Sequence, residues 1–239
     1  MKFSIVVPAF NEEKILARSL QAIFQAAEAF APQPYEVIVC DNNSTDRTAS
    51  IAQDLGAKVV FEPINQIARA RNRGASTAAG EWIIFVDADS FPSPALFAKV
   101  ALRMSDPKCA GGGCLIRFDE NNAMSIILVN LWNLLSRTQR WAAGSFIFCR
   151  TSLFKEIGGF SADLYASEEI DLCRRLKRAA RKHSQKLCII SEERLLTSAR
   201  KLRLYTQREY AVFMIKTLLS PKKVLRNRDE CSLWYNGRR

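Results

Sequence analysis

Two carboxylates one residue apart, Asp87 and Asp89 around Ala88, directly follow the apolar run WIIFV at 82–86. That pair, at the end of a buried strand, suits a bridge through Mg²⁺ or Mn²⁺ to a diphosphate. The plainer role is a turn cap for Asp87 and a solvated side chain for Asp89. Asp41 follows the run YEVIVC in the same way. A carboxylate there can accept from a base ring N–H, and Asn43 can bond a base or ribose. Alternatively, DNNSTD only caps a helix, for which Ser44, Thr45 or Asp46 suffices, leaving Asp41 spare. Arg69, Arg71 and Arg73 alternate along IARARNRG and so splay around a helix. Arg71, with Asn72, is the better candidate for a nucleotide contact; Arg69 and Arg73, four apart, suit a solvated face. Glu168-Glu169-x-Asp171 opens a helix whose positive end favours carboxylates. Beside an acceptor, one of them can remove the proton of a hydroxyl nucleophile. The alternative is a charged first turn paired with Arg174 and Arg175.

The elements that must position these groups follow from pattern. Phe3 to Pro8 is a continuous β-branched apolar run, expected of a strand buried on both faces. Helical spacing follows over 11–30, a strand at 35–40, a helix at 46–55 closed by Gly56, and a strand at 58–61. A helix at 66–79, closed by Gly80, leads into the strand at 82–86. This alternation predicts a parallel sheet with helices on both faces, and ligands outside the carboxyl ends of its strands. The clusters Asn11-Glu12, Asp41-Asn42-Asn43 and Asp87-Ala88-Asp89 are therefore expected on one rim. Beyond residue 90 the alternation loosens: a helix at 93–104, a strand at 109–118, a helix at 123–138, a strand at 145–149 and a helix at 167–182. The helix at 123–138, with Trp132 and nearby Trp141, reads as an acceptor-side wall, an interfacial contact or a plain core helix.

Composition narrows the classes. The chain has 239 residues, 48% hydrophobic and 25% charged, an ordinary ordered globular mix. No apolar run is long enough to span a membrane; the longest, 124–135, is broken by Ser125, Asn130 and Asn133. The N-terminal MKFSIVVPAFNEE reads as a first strand rather than a signal peptide. Seven scattered cysteines without a CxxC pair, and a single His183, argue against zinc and for reduced thiols in a cytoplasmic setting. The net charge of +11 is uneven: residues 1–136 carry 12 basic and 14 acidic side chains, residues 137–239 carry 23 and 10. Basic surface favours an anionic partner. No nucleic-acid recognition motif accompanies it, so no nucleic acid is expected. The tail (Lys222, Lys223, Arg226, Arg228, Trp234, Tyr235, Arg238, Arg239) suits an anionic membrane surface, with peripheral attachment, or serves only for solubility. No GxGxxG follows the first strand, which disfavours a dinucleotide dehydrogenase.

Four stretches, SIVVPAFNEE (4–13), VIVCDNNSTDRT (37–48), ARARNRGASTAAGEWIIFVDADS (68–90) and GGFSADLYASEEIDLCRRLKR (158–178), together resemble family 2 glycosyltransferases. These are inverting nucleotide-sugar enzymes with a GT-A fold. The resemblance implies an α/β catalytic domain over 1–200, with a nucleotide-binding half (1–90) and an acceptor half (91–200), followed by a basic extension (201–239). It implies that Pro8, Ala9, Asn11 and Glu12 line the nucleotide pocket, with Asp41 at the base and Arg71 near it. Asp87 would sit by the ribose or the metal, and Asp89 would be the direct ligand of Mg²⁺ or Mn²⁺. Glu169 stands where the family usually has the aspartate of a Glu-Asp pair, so the catalytic base is Glu169 or Glu168. Thr197-Ser198-Ala199-Arg200 resembles a family element near the diphosphate, which in many relatives carries a metal-binding histidine. Here Arg200 can supply positive charge to the leaving group, or be a solvated arginine of the tail. The implied partners are a nucleotide-sugar donor, UDP-linked by resemblance, and a hydroxyl acceptor. A nucleotide-binding or scaffold protein without catalysis is the alternative.

Overall fold

The computed structural model describes residues 3–120 and 123–235; Arg238 and Arg239 of the basic tail lie outside them. The first half alternates as expected: β1 (Phe3–Ala9), α1 (Leu16–Ala27), β2 (Tyr35–Asp41), α2 (Thr48–Asp54), β3 (Lys58–Phe61), α3 (Ile67–Ser76) and β4 (Trp82–Val86). A two-residue β5 (Ser90–Phe91), α4 (Pro94–Met104), β6 (Cys109–Phe118), α5 (Ala123–Gln139), β7 (Phe146–Arg150), α6 (Thr151–Glu156) and α7 (Glu168–Lys182) follow. The long β8 (Lys186–Thr197) leads to four helices: α8 (Arg200–Leu204), α9 (Gln207–Leu219), α10 (Pro221–Leu225) and α11 (Ser232–Tyr235).

The described strands form one sheet in the order β3-β2-β1-β4-β7-β6-β8-β5. It is mostly parallel: β3, β2, β1 and β4 run together and β6 runs with β8, while β7 is antiparallel to β4 and β6. Alternate residues of the central strands feed two cores, because successive side chains leave a strand on opposite faces. Ile5, Val7, Trp82, Ile84, Phe146 and Phe148 pack on one side with α1 and α4. Val6, Ile83, Phe85, Ile147 and Cys149 pack on the other with α3, α6 and α7. Burial on both faces explains why these strands read as continuous apolar runs.

Two glycines fix how closely the elements approach. A Cβ on Gly74 would lie 2.4 Å from Val6 Cγ1, so α3 rests directly on β1. A Cβ on Gly112 would lie 1.8 Å from the Cys188 carbonyl oxygen, so β8 can pair tightly with β6. All seven thiols are free, and all but that of Cys188 are buried.

Candidate active site

The loops after β1 and β2 are stitched together. Asn11 takes a left-handed conformation (φ 52°). Its amide donates to Ser44 Oγ at 3.0 Å, and its Oδ1 accepts from the Thr45 amide at 2.8 Å. The Glu12 amide donates to Thr48 Oγ1 at 2.8 Å. DNNSTD does not supply the expected cap: the N-cap of α2 is Arg47, without a side-chain hydrogen bond, and the segment instead holds the loop that carries Glu12. Asp41 is buried and accepts from the Ser44 amide at 3.1 Å, while Asn43 is exposed in a left-handed turn. Between them Asn42 pins the next loop, donating to the Glu62 and Ile64 carbonyls and accepting from the Gln66 amide.

The Asp87-Ala88-Asp89 turn is tied to β8 rather than left in solvent. Ser90 and Phe91 pair with Thr197 and Leu196, and the Ser198 amide donates to the Asp89 carbonyl at 3.0 Å. That register delivers Arg200, whose Nη2 donates to both oxygens of Glu12 at 2.8 and 2.7 Å and lies 3.9 Å from Asp89 Oδ2. Arg200 is thus a cation of this site and not a solvated residue of the tail.

Arg71 is the hub between the two halves. Resting α3 on β1 turns it inward, where it is 2% exposed. Nη1 donates to Glu168 Oε1 at 2.7 Å, and Nη2 to Asp87 Oδ1 at 2.9 Å and the Gly144 carbonyl at 2.8 Å. Burial alone would weaken its hold on the proton, but Asp87, Glu168 and Glu169 more than reverse this and keep it charged. Arg69 pairs instead with Glu62, and Arg73 donates to the Phe61 carbonyl. Asn72 is spent on the backbone of Phe160.

Ser167, in a left-handed conformation (φ 61°), starts α7 and sets its first-turn carboxylates against this hub. Such a backbone in a non-glycine residue costs on the order of 1 kcal/mol and tends to persist where the surroundings impose it. Glu168 is locked to Arg71, whereas Glu169 reaches an open cavity. Burial first, then the negative charge of Glu168, pushes the Glu169 carboxyl up to about 8. Asp171, by contrast, pairs with Arg175 at 2.7 Å.

Two adjoining cavities result. A narrow cleft is lined by Pro8, Ala9, Glu12, Asn42, Asp87, Ala88 and Asp89, with Trp234 and Tyr235 across from them. Beside it lies a cavity of about 330 Å³ lined by Arg71, Asp87, Asp89, Trp132, Ser145, Glu168, Glu169, Ser198 and Trp234, among others. Of the residues expected here, Asn11, Asp41, Asn43 and Arg200 line neither, and Arg200 reaches the site only through Glu12 and Asp89. Asn11 buttresses the loops, and Asp41 and Asn43 flank Asn42. Sequence reasoning placed Asn42 on the rim without giving it a role, and missed Ser145 and the cleft-lining position of Trp234 and Tyr235. Asn42 lay inside a motif already singled out; for Ser145 and the two aromatics only the fold reveals the position.

The family described as Glycosyl transferase family 2 matches over residues 4–158. The chain belongs to this family. It is 27% identical over 165 residues to the Methanococcus voltae dolichyl N-acetyl-alpha-D-glucosaminyl phosphate 3-beta-D-2,3-diacetamido-2,3-dideoxy-beta-D-glucuronosyltransferase, covering 63% of this chain and 51% of that one. It is 27% identical over 195 residues to the probable glycosyltransferase YdaM of Bacillus subtilis, covering 72% and 45%. The chain thus spans about half the length of these curated relatives. Among solved structures, Staphylococcus aureus TarS 1-349 in complex with UDP-GlcNAc matches with a TM-score of 0.63 at 21% identity, over 98% of this chain and 69% of that one. The mannosyltransferase PcManGT of Pyrobaculum calidifontis, in complex with GDP-Man and Mn²⁺, matches at 0.65 and 20%, over 90% and 60%. These likenesses establish the GT-A fold.

The charge balance of this family 2 domain bears on a metal. Glu12, Asp87, Asp89 and Glu168 line the two cavities with Arg71 as the one cation among the described lining residues, and Arg200 pairs with Glu12 from beside them. That excess of negative charge, beside a cleft shaped for a small ligand, suits a divalent cation. No three described His, Cys, Asp or Glu side chains are grouped to hold an ion by themselves. An ion on Asp87 and Asp89 would complete its shell with phosphate oxygens and water, as Mg²⁺ commonly does. The donor set fits on those terms. Four buried polar atoms around the site also lack a partner: Arg71 Nε, Trp132 Nε1, Ser145 Oγ and Arg200 Nε. Unpaired buried polar groups are rare in native proteins, and their concentration here suits a hydroxyl- and phosphate-rich ligand.

Proposed function

We propose that this chain moves a sugar from a nucleoside-diphosphate sugar to a hydroxyl acceptor, with inversion at the anomeric carbon. One observation carries the proposal: Asp89 and Glu169, 80 positions apart along the sequence, line the same 330 Å³ cavity. Pro8, Ala9 and Glu12 hold the nucleotide in the narrow cleft, with Asp41 and Asn43 at its base end beside Asn42. Uridine is the proposed base, supported by the UDP-GlcNAc complex of TarS.

Glu169 acts as the base. Glu168 is occupied by Arg71, while a carboxylate with raised proton affinity matches the task of accepting a hydroxyl proton near neutral pH. The acceptor O–H bond breaks towards Glu169 as its oxygen bonds to the anomeric carbon. The bond from that carbon to the diphosphate oxygen breaks, leaving the electron pair on the diphosphate. Arg200, already beside Asp89, offers positive charge to that departing group. A divalent ion, Mg²⁺ or Mn²⁺, would be held by Asp89 and Asp87 and, when bound, neutralises diphosphate charge. Trp132, Ser145 and Trp234 wall the acceptor side.

The test is release of nucleoside diphosphate from a panel of nucleotide sugars and acceptors in the presence of Mn²⁺ or Mg²⁺. Asp89→Ala and Glu169→Gln should each lower turnover by roughly a hundredfold or more. If both variants turn over like the parent, the assignment is wrong. Tight nucleotide binding with no turnover on any acceptor would instead favour a non-catalytic binding protein.

A further inference from the structure

Helix α5 is built inside out. The residues it buries are largely polar: Ser125, Asn133 and Ser136, with Val129. Asn133 donates to and accepts from the backbone of Ile116 at 2.9 and 3.0 Å, and Ser136 Oγ donates to the Trp141 carbonyl at 2.7 Å. Its outward side carries Ile127, Leu131 and Leu134 at 61, 55 and 59% exposure, bordered by Ile126, Leu128 and Leu135. A helix facing water has the opposite polarity. Six large apolar side chains within ten residues make a contiguous patch of the kind that marks a docking surface. Helix α9 repeats the pattern at smaller scale, with Met214, Ile215, Leu218 and Leu219 exposed. Helix α5 borders the larger cavity through Trp132, whereas α9 stands behind it, the Phe213 ring packing 5.3 Å from that of the lining residue Trp234.

What covers α5 is indicated by its C-terminal end. There a third cavity, of about 270 Å³, is lined by Arg140, Lys177, Arg181 and Lys186 together with Thr138, Gln139, Gln185 and Leu187. No carboxylate is among its described lining residues. Arg137, exposed on the last turn of α5, adds a further cation. Burial first, then the neighbouring Arg140, Arg181 and Arg174, holds Lys177 below the ordinary lysine value, a crowding that an anion would relieve. A second copy of a chain carrying +11 would bring like charge to this face, whereas an anionic leaflet brings the opposite.

We propose that α5 lies in the plane of an anionic phospholipid leaflet, its outer apolar face among the acyl chains and the Arg140–Lys177–Arg181–Lys186 cavity on a lipid phosphate. Apolar burial and cation–headgroup attraction act together in such interfacial helices. No described helix is long and apolar enough to cross a membrane. The docked surface brings the Trp132 wall of the cavity to the lipid. The proposal stands apart from the transfer reaction and survives if that assignment fails.

Flotation of the full chain with vesicles tests it. The chain should rise with phosphatidylcholine vesicles containing about one third phosphatidylglycerol, and far less with phosphatidylcholine alone. Ile127→Glu/Leu131→Glu/Leu134→Glu should lower the bound fraction at least roughly tenfold, with an unchanged melting temperature. Should that variant fail to fold, Arg140→Glu/Arg181→Glu gives an independent reading, expected to lose both binding and its salt sensitivity. Failure of the parent chain to bind either vesicle overturns the proposal. So does a chain that is dimeric in solution, is not captured by vesicles, and becomes monomeric when α5 carries the three glutamates.

Discussion

Arg71 Nη1 lies 2.7 Å from Glu168 Oε1, an ion pair between α3 and the first turn of α7 whose side chains are 2% and 7% exposed. It couples the half of the sheet that carries α3 to the half that carries Glu169. Removing one partner of such a pair leaves the other charge buried and uncompensated, which costs about 3–5 kcal/mol. Arg71→Met should therefore lower the unfolding free energy by about that amount, read by urea denaturation. Adding Glu168→Gln to it should return part of the loss, since one of the two stranded carboxylates is then gone while Asp87 remains.

Glu169 carries a pH signature. Its carboxyl is raised from 4.5 to about 8, so the native state holds a proton that the unfolded chain releases earlier. Stability tied to this group is complete below pH 4.5, is lost as pH rises towards 8, and is level above that. Glu169→Gln should be more heat-resistant than the parent at pH 9 and indistinguishable from it at pH 4. Turnover should move the other way in the parent, rising with pH up to about 8 as the carboxylate forms. The glutamine variant should lose roughly 10²–10⁴ in kcat.

Arg200 should matter to the leaving group more than to the fold. Arg200→Gln removes the charge while keeping hydrogen-bonding capacity, and kcat should fall roughly 10²–10³-fold. Because Glu12 holds Arg200 through both carboxylate oxygens, Glu12→Gln should loosen that grip and change KM for the donor more than kcat.

Ligand-dependent melting separates metal from nucleotide. UDP with Mn²⁺ at about a hundredfold above Kd should add about 2.7 kcal/mol of stability. Chelation with EDTA, or Asp89→Ala, should remove most of that increment. Asp41→Asn should keep it but weaken discrimination between UDP and GDP.

The strands β1, β2 and β4 were legible because burial on both faces leaves an unbroken apolar run, and the carboxylates after them were legible by topology. Strand β8 was not. Between Ile190 and Arg194 its pairing with β6 slips, and the polar Ser191-Glu192-Glu193 sits where the register shifts. A pattern search meets those residues as a strand end. That Arg71 pairs with Glu168 and not Glu169 was equally closed, since the two partners lie almost a hundred positions apart. Periodicity marked α5 as a helix but could not say which face turns inward, because the usual polarity is reversed there.

The described C-terminal helix sets a condition on assembly. Pro8 and Ala9 come from the first strand and Trp234 and Tyr235 from α11, yet they share one cleft, so nearly all of the described chain must be threaded before the cleft has both walls. Bringing together ends so far apart along the chain carries a loop-closure entropy that the contacts across the cleft must repay. A nascent or truncated chain can carry every acidic motif in place and still offer a nucleotide only half a groove.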